Sequence, residues 1–340
     1  MHSTTTVKRG LASLLAVALA AALAACGSST DSAPQAPAGG QPSGAFPVTI
    51  EHKYGSTEIK KKPERVVTLG LTDQEAVLAL GVKPVGAVDW FKERPYGAFP
   101  WTAPLWGGTQ PEIVGERGDF NFEKIASLRP DVIIAQYAAL PKDQYEKLTQ
   151  IAPTVAQSGK FADFATPWRD MTDTIGKALG QEPKAKDLIS GVDAKLAKAR
   201  QEHPEFAGKT VAVADTTGAG KYAAFAANDP RTVLMTELGF KVPQQIADLT
   251  KDGNPTEFGT ERLDLLDVDK LIWLTSDTAA PAQIKAEPLY QKLKVAQEGR
   301  AVFLPYSEPP IGAAVTFATV LSIPYAIDQS VPLLAAATKK

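Results

Sequence analysis

Cysteine, histidine and methionine are scarce in this chain of 340 residues, which contains one cysteine, three histidines and three methionines. A single cysteine excludes any internal disulfide bond. Only His52 and His203 follow residue 25, and we expect both at the surface and no metal site built from protein ligands. The sequence also lacks a Gly-x-Ser-x-Gly motif, which argues against an esterase-type triad and favours a protein that is not an enzyme.

Long hydrophobic runs are confined to one segment near the start of the chain. Lys8 and Arg9 precede an apolar run of 15 residues, 11–25, which is shorter than the ~20 residues that a spanning helix needs. This pattern predicts a signal peptide over residues 1–25. Its removal leaves 34 basic and 38 acidic residues, a formal net charge of −4, so the remaining chain has no electrostatic footprint for nucleic acid.

The signal peptide ends in Leu23-Ala24-Ala25-Cys26, which resembles the bacterial lipobox. The resemblance implies that Cys26 is lipidated and becomes the first residue of the mature protein. The alternative is an ordinary secretory signal that ends beside a chance cysteine. Residues 26–45 are rich in Gly, Ser, Pro and Ala, as expected for a flexible linker. We therefore expect an exported protein that is lipid-anchored to the outer face of the cytoplasmic membrane.

Predicted strands and helices alternate over most of the remaining chain, which is typical of an α/β fold with mostly parallel sheets. The alternation is interrupted by two helical runs, the second of which covers residues 182–203. We predict two similar lobes, 46–167 and 208–340, joined through a helical segment 168–207 that contains one long helix. The ligand cleft should lie between the lobes.

One stretch of sequence occurs twice, as "NFEKIASLRPDVIIA" from Asn121 and as "GTERLDLLDVDKLIWL" from Gly259. Glu123 in the first copy matches Glu261 in the second, and each is followed eight residues later by an aspartate, Asp131 or Asp269. Equal spacing in each half of the chain predicts a duplication of the whole lobe.

Further segments, "KPERVVTLGLTDQEAVLALGVKPVGAV" and "TERLDLLDVDKLIWL" among them, resemble the substrate-binding lipoproteins of ABC importers for iron-siderophores, haem and vitamin B12. This resemblance implies a monomer with two lobes joined by a rigid helix, which captures a ferric siderophore. Haem or a corrinoid is the alternative within the family, and an exported α/β hydrolase is the alternative outside it. In the family, a glutamate at the tip of each lobe meets the permease dimer, which assigns that role to Glu123 and Glu261.

An aromatic stretch, "DWFKERPYGAFPWTAPLWGG", follows a predicted strand of the first lobe and shows neither helical nor strand periodicity. Such a stretch begins at the carboxyl edge of the sheet, where α/β folds bind ligands. A bulky, often anionic ferric chelate needs aromatic walls and a few cationic donors. Trp273 is the weakest candidate because it lies within a predicted strand. The predicted ligand-binding residues are Trp90, Phe91, Arg94, Tyr96, Trp101, Tyr137, Arg231, Trp273 and Tyr306.

The run "DTTGAGKY" from Asp215 resembles a phosphate-binding loop, because Gly220 and Lys221 are adjacent. Tyr222 stands where such a loop needs Ser or Thr to hold magnesium, and Asp215 stands where its first glycine belongs. We therefore exclude a phosphate loop at this position.

Overall fold

The computed structural model describes residues 46–251 and 253–337. The predicted signal peptide 1–25, the linker 26–45 and the lipidation site Cys26 lie outside the described residues. The two sheets described below belong to one compact unit. In the part of the chain that the structure describes, no helix is both long and apolar enough to cross a bilayer.

The N-terminal lobe consists of a hairpin and a larger sheet flanked by helices. Its strands are β1 Val48–His52, β2 Gly55–Ile59, β3 Val66–Thr68, β4 Gly86–Asp89, β5 Glu112–Glu116, β6 Asp119–Phe120, β7 Val132–Ala135 and β8 Thr154–Ala156. Its helices are α1 Asp73–Ala79, α2 Ala103–Trp106, α3 Phe122–Ser127 and α4 Lys142–Thr149, with a 3₁₀ turn at Pro95–Gly97. The larger sheet has the order β6-β5-β4-β3-β7-β8, and every pair in it is parallel except β5 with β6. Strands buried on both faces explain the uninterrupted apolar runs in the sequence.

Two helices, α5 Trp168–Ala178 and α6 Glu182–Glu202, follow the first lobe. The predicted long helix is thus one residue shorter than expected, because His203 leaves the helical conformation as the C-cap. A 3₁₀ turn, Pro204–Phe206, then leads into the C-terminal lobe.

The C-terminal lobe has a sheet in the order β11-β10-β9-β12-β13. Its strands are β9 Val211–Gly218, β10 Lys221–Ala224, β11 Thr256–Gly259, β12 Lys270–Thr275 and β13 Ala301–Pro305. Its helices are α7 Pro230–Glu237, α8 Gln244–Leu249, α9 Ala280–Ala286, α10 Lys294–Gln297, α11 Ile311–Phe317 and α12 Ser322–Ala336, with 3₁₀ segments Thr260–Leu266 and Tyr290–Lys292. Strands β9, β12 and β13 are parallel, whereas β10 runs antiparallel to both of its neighbours. The run that resembled a phosphate loop is the β9–β10 hairpin, and no helix follows its glycine.

The repeated aspartates, Asp131 and Asp269, accept equivalent hydrogen bonds in the two lobes. Asp131, just before β7, accepts hydrogen bonds of 3.0 Å from the backbone N–H groups of Glu64 and Arg65, which precede β3. Asp269, just before β12, accepts bonds of 2.8 and 2.9 Å from the backbone N–H and the hydroxyl of Thr210, which precedes β9. In each lobe the carboxylate therefore joins the amino ends of two neighbouring parallel strands. The helical part of the repeat has diverged, since the second copy forms a 3₁₀ segment where the first forms α3.

One hydrophobic core extends from the first sheet through the helices into the second sheet. It includes Val66 of β3, Ile175 of α5, Leu196 of α6, Ile272 of β12 and Val315 of α11, all nearly inaccessible to solvent. The lobes are therefore joined by shared packing as well as by α6, which favours a rigid relation between them because close-packed cores resist deformation.

The start of α1 has no side-chain cap. Thr72 and Glu75 have the spacing of a capping box, but the Thr72 hydroxyl makes no cap hydrogen bond. Instead, the buried carboxylate of Asp73 accepts bonds from the backbone N–H groups of Gly70, Gln136 and Tyr137, at 2.9 to 3.0 Å. This carboxylate holds together the loops that leave β3 and β7.

Glu75 is also buried, and it faces the other lobe. Its carboxyl group is hydrogen-bonded to the hydroxyl of Thr319, in the corner between α11 and α12. Burial raises the pKa of Glu75 to about 7, although the hydrogen bond from Thr319 opposes the shift. Protonation of Glu75 removes the free-energy cost of a buried charge where the two lobes meet.

His52 was expected at the surface, and that expectation is wrong. It is buried in β1, where its Nε2 atom lies 2.9 Å from the hydroxyl oxygen of Thr57 and 3.3 Å from that of Tyr145. Alternation along a half-buried strand places this position on the inner face. His203 is partly exposed, and its Nδ1 atom lies 2.9 Å from a carboxylate oxygen of Glu205.

Candidate ligand-binding cleft

Two adjoining cavities of about 560 and 690 Å³ lie between the lobes, and we refer to them together as the cleft. Their walls come from segments that leave the carboxyl ends of strands in both sheets. Both cavities are lined by Asp215, Arg231, Tyr306 and Phe317. This is the edge at which open α/β sheets bind ligands.

On the N-terminal side, Phe164 presents an exposed ring to the cleft. The ring is 37% accessible and makes edge contacts with Tyr137 and Trp90, at centroid distances of 5.3 and 6.2 Å. The buried Tyr137 hydroxyl donates to the backbone carbonyl of Phe164, and Trp90 Nε1 donates to the carbonyl of Leu69 at 3.2 Å. Burial raises the pKa of Tyr137 well above its usual range. Tyr137 and Trp90 therefore hold Phe164 in place. Tyr137 does so through its ring and through the hydrogen bond from its neutral hydroxyl.

A second aromatic group spans the two lobes. Phe91 and Phe99, from the loop after β4, contact Phe317 of α11 at centroid distances of 5.6 and 5.1 Å. Trp101 stacks on Phe99 at 4.7 Å and is only 9% accessible. The aromatic loop therefore forms part of the cleft wall with Phe91 and Phe99, while Trp101 supports them from the core.

The charged part of the C-terminal wall is centred on Arg231, at the start of α7. Its Nε and Nη2 atoms donate to the two carboxylate oxygens of Asp229 at 2.8 and 2.7 Å, and its guanidinium lies 3.7 Å from the ring centroid of Phe225. Asp229 also accepts the backbone N–H of Arg231 and so caps α7. The charge of Arg231 is largely balanced by its own neighbour.

Asp215, in β9 directly after the last residue of that strand that pairs with β12, lies in the same part of the cleft. One carboxylate oxygen accepts the N–H of Thr216 at 2.7 Å, and within the described residues Asp215 forms no ion pair. Burial raises its pKa to about 6, and the positive charge of Arg231 opposes that shift. The carboxylate is therefore mainly ionised at neutral pH without a bonded cation.

Arg94 connects the lobes at the mouth of the cleft. Its Nη2 atom donates to the carbonyl of Ser307 at 3.0 Å and pairs with the carboxylate of Glu308, which lies in the loop after β13. The guanidinium also lies 5.7 Å from the ring centroid of Phe99. Arg94 thus lines the cleft while it is bonded to the opposite lobe.

Of the predicted ligand-binding residues, Phe91, Arg94, Tyr137, Arg231 and Tyr306 line the cleft. Their contact with a ligand stays a prediction.

The other predicted residues do not line it. Trp90 supports Phe164, and Tyr96 packs on Trp106 at a centroid distance of 5.2 Å. Trp101 is in the core, and so is Trp273, whose side chain is fully buried in β12 against Tyr222, Tyr290 and Phe303. Trp273 is therefore unavailable to a ligand, and its assignment to the site is wrong.

Sequence analysis missed Phe164, Phe317, Asp215 and Asp229 as lining residues. Asp215 was considered only as part of a phosphate loop, although its place directly after the apolar residues 211–214 could have indicated the carboxyl edge. Within the described residues, no group of three or more His, Cys, Asp and Glu side chains could hold a metal ion.

A two-lobed α/β architecture with a preformed aromatic cleft between the lobes defines the class of solute-binding proteins. The chain belongs to the family described as "Periplasmic binding protein", whose sequence model matches residues 66–307. The family confirms the predicted resemblance and the prediction of a binding protein, not an enzyme. It also agrees with a location outside the cytoplasm.

The fold is shared with solved structures. One is a periplasmic solute binding protein from Mycobacterium smegmatis, with 34% identity, a TM-score of 0.76, and coverage of 86% of this chain and 98% of that one. Another is PiaA from Streptococcus pneumoniae in complex with ferrichrome, with 29% identity, a TM-score of 0.74, and coverage of 86% and 98%. These likenesses confirm the predicted two-lobed α/β fold.

Among curated proteins, the chain is similar to "Probable siderophore-binding lipoprotein YfiY" from Bacillus subtilis. The two are 30% identical over 74% of this chain and 78% of the relative.

Proposed function

We propose that this protein captures a ferric siderophore outside the cytoplasm and delivers it to the permease of an ABC importer. The observation that carries the proposal is the cleft itself, two adjoining cavities of about 560 and 690 Å³ with aromatic walls. Such volumes suit a bulky chelate, and cavities that bind small molecules are mainly apolar with a few polar groups. The relatives named for siderophore or ferrichrome binding support the same cargo.

Membrane attachment through Cys26 belongs to the same proposal. The lipobox-like end of the signal peptide supports it, as does the similarity to a protein named as a lipoprotein. More than one acyl chain on Cys26 would hold the binding domain on the outer face of the cytoplasmic membrane.

The repeated glutamates are proposed as the contacts to the permease. Glu123 is the second residue of α3 and follows Phe120, which pairs with Gly115 near the carboxyl end of β5. Glu261 follows Gly259, which lies level with the end of β9 in the second sheet. Both side chains are exposed, and neither forms an ion pair within the described part of the chain.

Glu261 therefore lies near the carboxyl edge of its sheet, from which segments that line the cleft leave, and Glu123 lies beside the carboxyl half of β5. Exposed acids in this position are free to meet basic residues on a symmetric permease dimer. Charge pairs of this kind contribute mainly to orientation and association rate.

Ligand capture can be tested by titrating the protein with ferric siderophores while tryptophan fluorescence is followed. Trp90 touches Phe164 in the cleft wall, so a bound ferric chelate should quench its emission. Haem and cobalamin are the comparison ligands for the alternatives within the family. Quenching by haem or cobalamin alone would contradict a siderophore as the cargo.

Docking can be tested in a transport assay with the double variant Glu123→Lys/Glu261→Lys. Siderophore affinity should be unchanged, whereas uptake should fall strongly because like charges would meet at both contacts. The matched control is Glu64→Lys/Glu298→Lys, which reverses two exposed acids near the amino ends of the sheets. Normal uptake by the first double variant would refute this role for the glutamates.

A further inference from the structure

The four residues shared by both cavities differ in how their charges are balanced. Arg231 is held by two hydrogen bonds to Asp229, and the two charges cancel. Tyr306 and Phe317 add aromatic rings. Asp215 is left with a carboxylate that no described side chain neutralises by an ion pair, so the middle of the cleft has a net negative charge.

Charges on the surrounding rim do not cancel this carboxylate. Arg94 pairs with Glu308 across the lobes, and Asp163 pairs with Lys53 at 2.7 Å. Among the residues that the structure describes, the remaining charged residues of the rim are exposed and belong to both signs, namely Glu93, Arg117 and Lys160. Charges exposed to water are screened by solvent and salt, whereas a partly buried charge is screened much less.

A cation is the most favourable partner for a carboxylate that lies among aromatic rings, because the ring carbons cannot donate hydrogen bonds to its charge. An ammonium group beside Asp215 would gain a charge-assisted hydrogen bond. An anionic group at the same place would be repelled by Asp215 and would find Arg231 already paired. Burial raises the pKa of Asp215 to about 6, which still leaves it mainly ionised at neutral pH.

We propose that Asp215 is a cation subsite of the cleft and selects ferric siderophores that carry a protonated amine over those that are multiply anionic. This inference rests on the proposed function and assigns a charge class to the cargo. Asp215 determines specificity by direct contact with the ligand, while the aromatic rings contribute affinity that does not depend on the ligand's charge.

Two chelates that differ only in one amine provide the test. Ferrioxamine B is a ferric trihydroxamate with a terminal ammonium group, and its N-acetyl derivative lacks that charge. The full chain should bind the amine form at least about tenfold more tightly, the ratio expected from one hydrogen bond between charged groups. The readout is the dissociation constant of each chelate, measured by fluorescence quenching at pH 7.5 and fixed ionic strength.

Variants then assign the preference to Asp215. Asp215→Asn should bind the two chelates with equal affinity and retain the affinity for the acetylated form. Asp215→Glu, which restores the charge, should restore the preference and also controls for folding. Glu58→Gln is the control, because Glu58 is an exposed acid of β2 outside the cleft, and it should behave as the unchanged protein.

The outcomes separate the two proposals. Equal binding of both chelates by the unchanged protein, or a preference that persists in Asp215→Asn, would overturn the cation subsite and leave siderophore binding intact. Binding of other ferric siderophores without either ferrioxamine would do the same. Failure of every ferric siderophore to bind would overturn the proposed function and this inference together.

Discussion

The two walls of the cleft differ in chemistry, although the two lobes share an architecture. The N-terminal wall consists mainly of aromatic rings, and its charges are exposed at the rim or already paired; its rings are Phe91, Phe99, Tyr137 and Phe164. The C-terminal wall holds the inner charges of the cleft, on Asp215, Asp229 and Arg231. The amino ends of the sheets, in contrast, are joined in the same way by Asp131 and Asp269. The two lobes are therefore alike where an aspartate joins the amino ends of the strands, and they differ at the edges that face the cleft.

We infer from this difference that one wall contributes mainly to affinity and the other mainly to selectivity between ligands. Aromatic surface contributes binding energy in proportion to the area it covers, with little regard for the ligand's charge. Fixed charges contribute less net energy and discriminate more strongly between ligands. Mutations in the two walls should therefore have different consequences.

The largest effect is expected from removing rings of the N-terminal wall. Phe91→Ala with Phe164→Ala should weaken binding of every ferric siderophore by roughly 100-fold, since two partly exposed rings lose their contact with the ligand. The loss should be similar for cationic and neutral chelates when dissociation constants are compared. Phe122→Ala is the control, because Phe122 packs in the same lobe outside the cleft. A loss confined to one charge class would contradict the division between the walls.

A smaller effect, but a change in selectivity, is expected from Asp229→Asn. This substitution removes the charge that balances Arg231 and leaves the guanidinium free to meet an anion. Affinity for ferric citrate, an anionic chelate, should rise by about tenfold relative to ferrioxamine B. Competition between the two chelates for one preparation measures this ratio directly. An unchanged ratio would mean that Arg231 does not face the ligand.

Acidification should weaken the cation subsite several-fold. Because the pKa of Asp215 is about 6, its carboxylate is mainly ionised at pH 7.5 and mainly protonated at pH 5. Burial raises the pKa of Tyr306, which lines the same two cavities, to about 12, so Tyr306 stays neutral over this interval. Affinity for ferrioxamine B should fall between these pH values, while that for the acetylated chelate should hardly change. Asp215→Asn should lose the pH dependence, and its persistence there would assign it to another group.

The smallest effect concerns stability where the lobes meet beneath the walls. The pKa of Glu75 is about 7 in the folded protein against an ordinary value of 4.5, so the folded state holds this proton more tightly. The contribution of Glu75 to stability should therefore decrease as the pH rises from 4.5 to 7.

Glu75→Gln keeps an acceptor for the Thr319 hydroxyl and removes the buried charge. It should raise the free energy of unfolding at pH 8 by on the order of 1 kcal/mol and have little effect at pH 4.5. Urea unfolding at the two pH values measures the difference, with the exposed Glu58→Gln as control. Equal effects of Glu75→Gln at both pH values would show that Glu75 is not protonated in the fold.

Much of the architecture could be predicted from periodic features of the sequence. The apolar strands on either side of the repeat and the long helix α6 have strong local patterns, and the structure contains them close to the predicted bounds. The equal spacing from Glu123 to Asp131 and from Glu261 to Asp269 predicted duplication, which the shared role of the aspartates supports. These features are set by residues close together in the sequence, or by a periodic pattern of buried positions along the chain.

The cleft was less predictable because its residues meet through tertiary packing. Phe317 lies in an apolar helix, α11, and nothing in its local sequence shows that its ring reaches the first lobe. Trp273 and Phe164 were mispredicted in opposite ways. Trp273, a large ring within a strand, was predicted to contact the ligand but is buried in the core. Phe164, a single phenylalanine in a loop, was not predicted but lines the cleft. Glu75 had the spacing of a helix cap but bonds to a residue 244 positions away.

The most direct test of the account is native mass spectrometry of the full chain with an equimolar mixture of ferrioxamine B, its N-acetyl derivative, ferrichrome, ferric citrate, haem and cobalamin. We expect a single ligand per chain, an iron chelate of neutral or positive charge, with the ferrioxamine B complex the most populated. A spectrum dominated by haem, cobalamin or ferric citrate, or one without any ligand-bound species, would contradict it.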